Sequence, residues 1–153
     1  LEAVARLNRA GYRVALATNQ SGVARGLFSE DDLRAIHRHI NAQLARIGGR
    51  IDPIVYSPHG PGSRDPMRKP RPGMLLEIAR RLDVSLAGVP YVGDSRRDIE
   101  AARAAGAQPV LVRTGNGRHV AAAADLDLHG VEIHEDLAGF VDAFLARNAS
   151  DVV

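Results

Sequence analysis

Three clusters of polar residues in this chain could act on a phosphate ester. Thr18, Asn19, Gln20 and Ser21 follow an apolar run, Arg68 and Lys69 stand between prolines, and Asp94 and Asp98 come after "YVG". Hydroxyl and amide donors with two cations suit a phosphate, whose oxygens accept charge-assisted hydrogen bonds. Two carboxylates suit a hard divalent cation such as Mg²⁺, which prefers oxygen ligands. Each cluster also has an ordinary explanation. A Thr-Asn-Gln-Ser run is turn chemistry, a cationic pair between prolines is a solvated loop, and an acid after a glycine caps or opens a helix. Their coincidence in one chain favours the phosphate.

Such clusters need a scaffold that gathers them. Leu1, Val4 and Leu7 recur at helical spacing and stop at Gly11. "YRVALA" (12–17) reads as a strand. Ser29 and Asp32 have the spacing of a capping box, and Leu33, Ile36, Ile40, Leu44 and Ile47 form one apolar helical face. "IVYS" (54–57) is the next strand. The segment from Pro58 to Pro72 holds five prolines and two glycines, so a surface loop is predicted. A helix follows with Met74, Leu75, Ile78 and Leu82 inward. "VPYVGDS" is a strand ending in a carboxylate, "RRDIEAARAAG" a helix closed by Gly106, and "PVLVRTG" a strand. A last strand and helix lie between Val131 and Arg147. This alternation predicts a three-layer, Rossmann-like α/β fold with a mostly parallel sheet. Ligands of such folds gather at the carboxyl ends of the strands.

Composition bounds the rest. A chain of 153 residues, 45% hydrophobic and 25% charged, suits a single globular domain over 1–153. Net charge is +2 and aromatics are 4%, so a nucleic-acid stacking surface is not expected. Cysteine is absent, which excludes disulfides and thiolate metal sites within these residues. No apolar run approaches a bilayer-spanning length and no secretory leader is visible at Leu1. The expectation is a cytoplasmic monomer with a small-molecule substrate, no nucleic-acid partner and no membrane contact.

"TNQSGVARG", "RKPRPGM" and "VGDSRRD", in this order and spacing, resemble the haloacid dehalogenase-like (HAD) phosphatases. Within them the match is to the cap-less branch of histidinol phosphatases, polynucleotide 3′-phosphatases and heptose bisphosphate phosphatases. "TNQSGVARG" with "LVRTG" is most similar to the last of these. The resemblance implies a Mg²⁺-dependent phosphatase that hydrolyses a phosphosugar monoester through an aspartyl-phosphate, in lipopolysaccharide-core precursor synthesis. It implies that Thr18 hydrogen-bonds the transferring phosphoryl group, and that Asn19, Gln20 and Ser21 contact substrate. Lys69 would neutralise phosphoryl charge and Arg68 read the rest of the substrate. Asp94 would ligate Mg²⁺, and Asp98 would be an outer-shell carboxylate. The alternatives are a histidinol or polynucleotide 3′-phosphatase, and a non-catalytic phosphoryl-binding domain.

The chain departs from that family in three places. The family attacks phosphorus with an aspartate of a DxDGT-like motif on the first, central strand. These residues contain no such motif, so as written they are expected to lack that strand and to be inactive. The loop in which many relatives hold Zn²⁺ keeps only His59, with Ser57, Asp65 and Met67 near the cysteine positions. No zinc is expected, and His59 reads as a stray surface histidine. Ser95 stands where the heptose enzymes often have a lysine, with Arg96 or Arg97 beside it.

Overall fold

The computed structural model describes residues 1–149. In chain order the elements are α1 (Glu2–Arg9), β1 (Leu16–Asn19), α2 (Ser21–Ala24), α3 (Glu30–Ala45), β2 (Ile54–Ser57) and α4 (Gly73–Leu82). There follow β3 (Pro90–Gly93), α5 (Arg96–Ala105), β4 (Gln108–Val112), α6 (Gly117–Ala121), β5 (Glu132–His134) and α7 (Leu137–Asn148). The alternating α/β order and the parallel pairing agree with the sequence reading.

The strands form two ladders. β1 pairs with β2, Leu16 opposite Ile54 and Asn19 opposite Ser57. β3, β4 and β5 make the second, with Val92 opposite Val110 and Leu111 opposite Ile133. Among the described residues no backbone ladder joins β1 to β3. Side chains span that interval instead: the Ala17 carbonyl accepts from Lys69 Nζ at 3.0 Å and from the Tyr91 hydroxyl at 3.2 Å.

Period-two alternation in the strands feeds two cores, one on each face. Ala17, Val55 and Tyr91 pack with Met74, Leu75 and Ile78 of α4 and with Ala101 and Ala102 of α5. Val92 and Val110 pack the other way, on Ala3 and Leu7 of α1 and on Phe140, Val141 and Phe144 of α7. The first core draws on both ladders, so α4 and α5 hold β1 beside β3 without a shared hydrogen-bond ladder.

Two sequence expectations need correction. The first strand begins at Leu16, not Tyr12, and runs on to Asn19. Before Leu16 the two segments still touch, the Asp52 N–H donating to the Val14 carbonyl at 2.9 Å and the Leu16 N–H to the Pro53 carbonyl at 3.0 Å, but Pro53 has no N–H with which to continue the ladder. Leu33 and Leu44 of α3 are buried, but Ile36 faces solvent, and Ile47 lies beyond the end of the helix and is exposed as well. Between them the inward face includes the half-buried His37, whose ring meets Tyr56 at 5.9 Å, and the half-buried Asn41, whose amide pairs with both the N–H and C=O of Ile51. The short helices α2 and α6 lay outside the sequence reading altogether. The predicted Ser29–Asp32 capping box is present at the start of α3. Among the described residues no helix is long and apolar enough to cross a membrane.

Candidate functional site

Lys69 is the only lysine in a chain otherwise supplied with arginine. Its ammonium has three protons and meets three acceptors: Asp98 Oδ1 at 2.7 Å, the Tyr91 hydroxyl at 2.9 Å and the Ala17 carbonyl at 3.0 Å. A compact ammonium on a flexible stem can enter this small polar pocket between strands, where a planar guanidinium would not fit its donors to three divergent acceptors. The Lys69 backbone is held as well. Asn19, the last residue of β1, donates its side-chain N–H to the Lys69 carbonyl at 3.1 Å and accepts from the Lys69 N–H at 3.0 Å. Both polar ends of the Asn19 amide are thereby used, so Asn19 positions the lysine.

Asp98 is the N3 residue of α5 and completes a capping box with Ser95. One oxygen faces Lys69; the other accepts from the N–H of Asp94, the N–H of Ser95 and the Ser95 hydroxyl, at 3.2, 3.0 and 2.7 Å. Burial pulls this carboxyl upward, but the Lys69 charge and the hydrogen bonds from Lys69 and Ser95 prevail and hold it below the ordinary aspartate range. The Tyr91 phenol is pushed well up, by burial first and then by the Asp98 charge, and stays neutral. The Tyr91 hydroxyl accepts from Lys69 and has one proton to offer, either to Ala17 or to Asp98 at 3.4 Å.

Asp94 follows β3 at the carboxyl end of the sheet. Its Oδ2 accepts the Asn116 N–H at 2.9 Å, while no donor engages Oδ1 among the described residues. Two glycines make room for these carboxylates. A Cβ at Gly93 would fall 2.3 Å from the Cβ of Asp98, and one at Gly115 would fall 2.1 Å from Asp94 Oδ2. Gly115 also has φ +59°, which favours glycine. A half-buried carboxylate with a free oxygen is a fitting hard ligand for Mg²⁺, which is often held by one or two protein carboxylates, its remaining positions filled by water and phosphate oxygens. Among the described residues no set of three or more His, Asp or Glu side chains is grouped so as to hold a metal ion.

The ordinary explanation of a solvated loop fails for Arg68, which is only 6% exposed. The loop folds back on itself to bury it. Arg68 Nη1 donates to the His59 carbonyl at 2.7 Å, the His59 ring meets Asp65 Oδ2 at 3.2 Å, and the Asp65 carbonyl accepts the Arg68 N–H at 3.0 Å. This closes a ring of three residues. Asp65 Oδ1 additionally accepts the Met67 N–H at 2.8 Å. His59 is therefore no stray histidine but a member of a polar loop clamp. Burial, with repulsion from Arg97, lowers the Arg68 pKa, though a guanidinium remains charged.

The structure thus links Asn19, Lys69, Asp98 and Asp94 in one hydrogen-bonded chain. Thr18 adjoins it through Ala17, its hydroxyl accepting from the Gln20 amide at 3.0 Å. Ser21 opens α2. Sequence reasoning missed Tyr91, Asp65, Ser95 as partner of Asp98, and the Gly115–Asn116 turn that meets Asp94. Solitary lysine among arginines was a signal available for Lys69; Tyr91 carried none, since a tyrosine in a strand is ordinary β chemistry.

A family model described as HAD-hydrolase-like matches residues 66–140. The chain is 52% identical over 145 residues to D-glycero-β-D-manno-heptose-1,7-bisphosphate 7-phosphatase of Bordetella bronchiseptica, across 95% of this chain and 80% of that protein. It is 47% identical to the enzyme of the same name from Pseudomonas aeruginosa, with the same coverage. A solved structure of the B. bronchiseptica D,D-heptose 1,7-bisphosphate phosphatase, complexed with magnesium and phosphate, superimposes with a TM-score of 0.91 at 51% identity. That superposition covers 95% of this chain and 81% of the other.

Proposed function

We propose that this chain, which belongs to the HAD-like hydrolases and there to the heptose-bisphosphate 7-phosphatase family, forms the phosphoryl-binding part of an enzyme that removes the 7-phosphate from a heptose 1,7-bisphosphate, the attacking aspartate not being among these residues. The observation that carries the reading is the fixed Lys69 ammonium, tied to Asp98 between β1 and β3 with Asp94 one hydrogen bond further on. Phosphoryl transfer spreads negative charge over the phosphoryl oxygens, and catalysis consists largely of placing cations and donors around them.

Each side chain then has a task. Lys69 stabilises the phosphoryl oxygens, exchanging one of its three present acceptors for the substrate. Thr18, beside Ala17 at the end of β1, donates its hydroxyl to the same group. Asn19 and Asp98 keep the lysine aimed, while Gln20 and Ser21 border the sugar. Arg68 reads the part of the substrate that does not react. Mg²⁺ held at Asp94 would supply further positive charge beside the phosphoryl group. The attacking carboxylate belongs on a strand between the open edges of β1 and β3, where only side chains now meet. Asp98, with both oxygens engaged, would not ligate the ion directly; it accepts the N–H of Asp94, the residue that would hold it.

Phosphate release by the protein from heptose 1,7-bisphosphate, histidinol phosphate and a 3′-phosphorylated oligonucleotide tests the reading directly. Turnover should be highest on the bisphosphate, depend on Mg²⁺, and fall about a hundredfold or more in Lys69→Ala. Near-normal turnover in that variant would remove Lys69 from the mechanism, and preference for another substrate would reassign the enzyme.

A further inference from the structure

Phe28 is one of three phenylalanines, and the other two, Phe140 and Phe144, pack in the second core. Phe28 is half-buried yet belongs to neither core. Its ring lies against the backbone of α2 instead. A Cβ at Gly22 would overlap that ring, with Cζ 2.7 Å and Cδ1 3.1 Å away. Gly22 is not among the glycines with positive φ, so it serves for space rather than for conformation. Two local features aim the ring. The Gly22 carbonyl accepts the Leu27 N–H at 2.9 Å, which turns the chain back toward α2. Ser29, the next residue, caps α3 through the capping box and fixes the direction in which the chain at Phe28 enters that helix.

α2 is a single turn of four residues, too short to be stable by itself. Its neighbours must hold it. Three consecutive carbonyls do part of this. Ser57 accepts the Gln20 N–H at 2.8 Å, Pro58 accepts the Ala24 N–H at 3.2 Å, and His59 accepts Arg68 Nη1 at 2.7 Å. The first two hold the ends of α2, and the Phe28 ring covers its middle. Gln20 caps this clamped turn and Ser21 opens it, the two residues placed beside the sugar above. The reacting centre is held by other groups. Lys69 is fixed by Asn19, Tyr91 and Asp98, none of which belongs to α2 or to the loop that carries Phe28.

We propose that Phe28 is a positioning residue, which acts through the Gly22 backbone to set Gln20 and Ser21 against the sugar. Without the ring, α2 keeps its two backbone hydrogen bonds but loses the wall that limits its tilt. Sugar binding then weakens while the charge at Lys69 stays in place. The proposal rests on the phosphatase reading for what Gln20 and Ser21 touch.

Phe28→Leu and Gly22→Ala, alone and together, decide it in the enzyme of which this chain forms part. The substrates are heptose 1,7-bisphosphate and p-nitrophenyl phosphate, which has no sugar. Each single variant should raise KM for the bisphosphate about tenfold, the scale of one lost hydrogen bond, with kcat changed less. Hydrolysis of p-nitrophenyl phosphate should stay within about twofold of wild type. In the double variant the alanine methyl takes space that the ring has left, so KM should be no higher than in Phe28→Leu alone. Equal loss on both esters, a lowered melting temperature with unmoved KM, or KM effects that multiply in the double variant overturn the proposal.

Hydrogen exchange supplies a readout that needs no turnover. The Gln20 and Ala24 amides should exchange about fivefold faster or more in Phe28→Leu, with the β2 amides unchanged. Unaltered exchange at Gln20 and Ala24 also overturns it. Gly22→Ala carries both measurements if Phe28→Leu does not fold. Wild-type preference for another ester reassigns the enzyme, and the comparison is then made on that ester. Preference for the bisphosphate with KM unmoved rejects only the role of Phe28.

Discussion

Lys69 Nζ and Asp98 Oδ1 stand 2.7 Å apart, with side chains only 11% and 9% exposed. Neither charge can be removed alone without stranding the other. Asp98→Ala or Lys69→Met should each cost about 3–5 kcal/mol in chemical denaturation, the range for breaking one side of a buried ion pair. The double variant should cost clearly less than the sum, because the second change removes the stranded charge. Strict additivity would mean that the two charges are not coupled and that solvent reaches the pair.

The same pair shapes acid stability. Asp98 is held below its ordinary value near 3.8, so across that interval the unfolded chain binds the proton first. Its contribution is complete above the ordinary carboxylate range and is lost as pH falls through the depressed folded value. Glu77, bonded to Arg80 and Arg81 and lowered to about 2, titrates in the same direction on the open surface of α4. Salt separates the two: the exposed group is screened and the buried pair is not. Unfolding curves between pH 5 and about 2 should therefore remain steep in high salt for the wild type and flatten in Asp98→Asn. A steepness that salt abolishes would assign the acid sensitivity to surface pairs such as Glu77.

Much of this was readable in advance, for reasons that differ by residue. IVYS and RRDIEAARAAG were legible because β-branched residues between breakers and a helix closed by Gly106 are local signals. The placement of β1 was not, since its length depends on where β2 starts, thirty-odd residues later. Lys69, Asp94 and Asp98 could be chosen as chemistry-bearing residues, but their wiring is tertiary. That Asn19 holds the Lys69 backbone spans fifty positions of sequence, and no pattern within either segment encodes it. Burial of Arg68 was missed because the Asp65 ring that permits it is built from residues whose types suggest only a loop.

That ring predicts a role for Asp65 as a positioning residue. Asp65→Ala removes the acceptors of the His59 ring and the Met67 N–H together, and frees the loop that presents Arg68. The reacting phosphate, placed at Lys69, should be little affected. Steady-state kinetics on the bisphosphate should show KM raised about tenfold with kcat changed less. A fall in kcat at constant KM would put the effect on Lys69 instead.

Gly115 is the position where backbone geometry most directly controls a proposed ligand. Its φ of +59° already disfavours any side chain, and a Cβ would lie 2.1 Å from Asp94 Oδ2. Aspartate Oδ2 is also the atom that accepts the Asn116 N–H, so Gly115→Ala must either displace the carboxylate or pull the turn away from it. Strain of this kind costs about 1–3 kcal/mol, and the carboxylate swings away from the end of β3. The expected result is weaker Mg²⁺ activation: a higher metal concentration for half-maximal phosphate release, with far-UV circular dichroism unchanged. Gly130→Ala is the control, since it has φ +70° but nothing within 4 Å of its added Cβ. It should lose stability without shifting the metal requirement. Equal shifts in both variants would attribute the effect to loop strain in general and detach Asp94 from the metal.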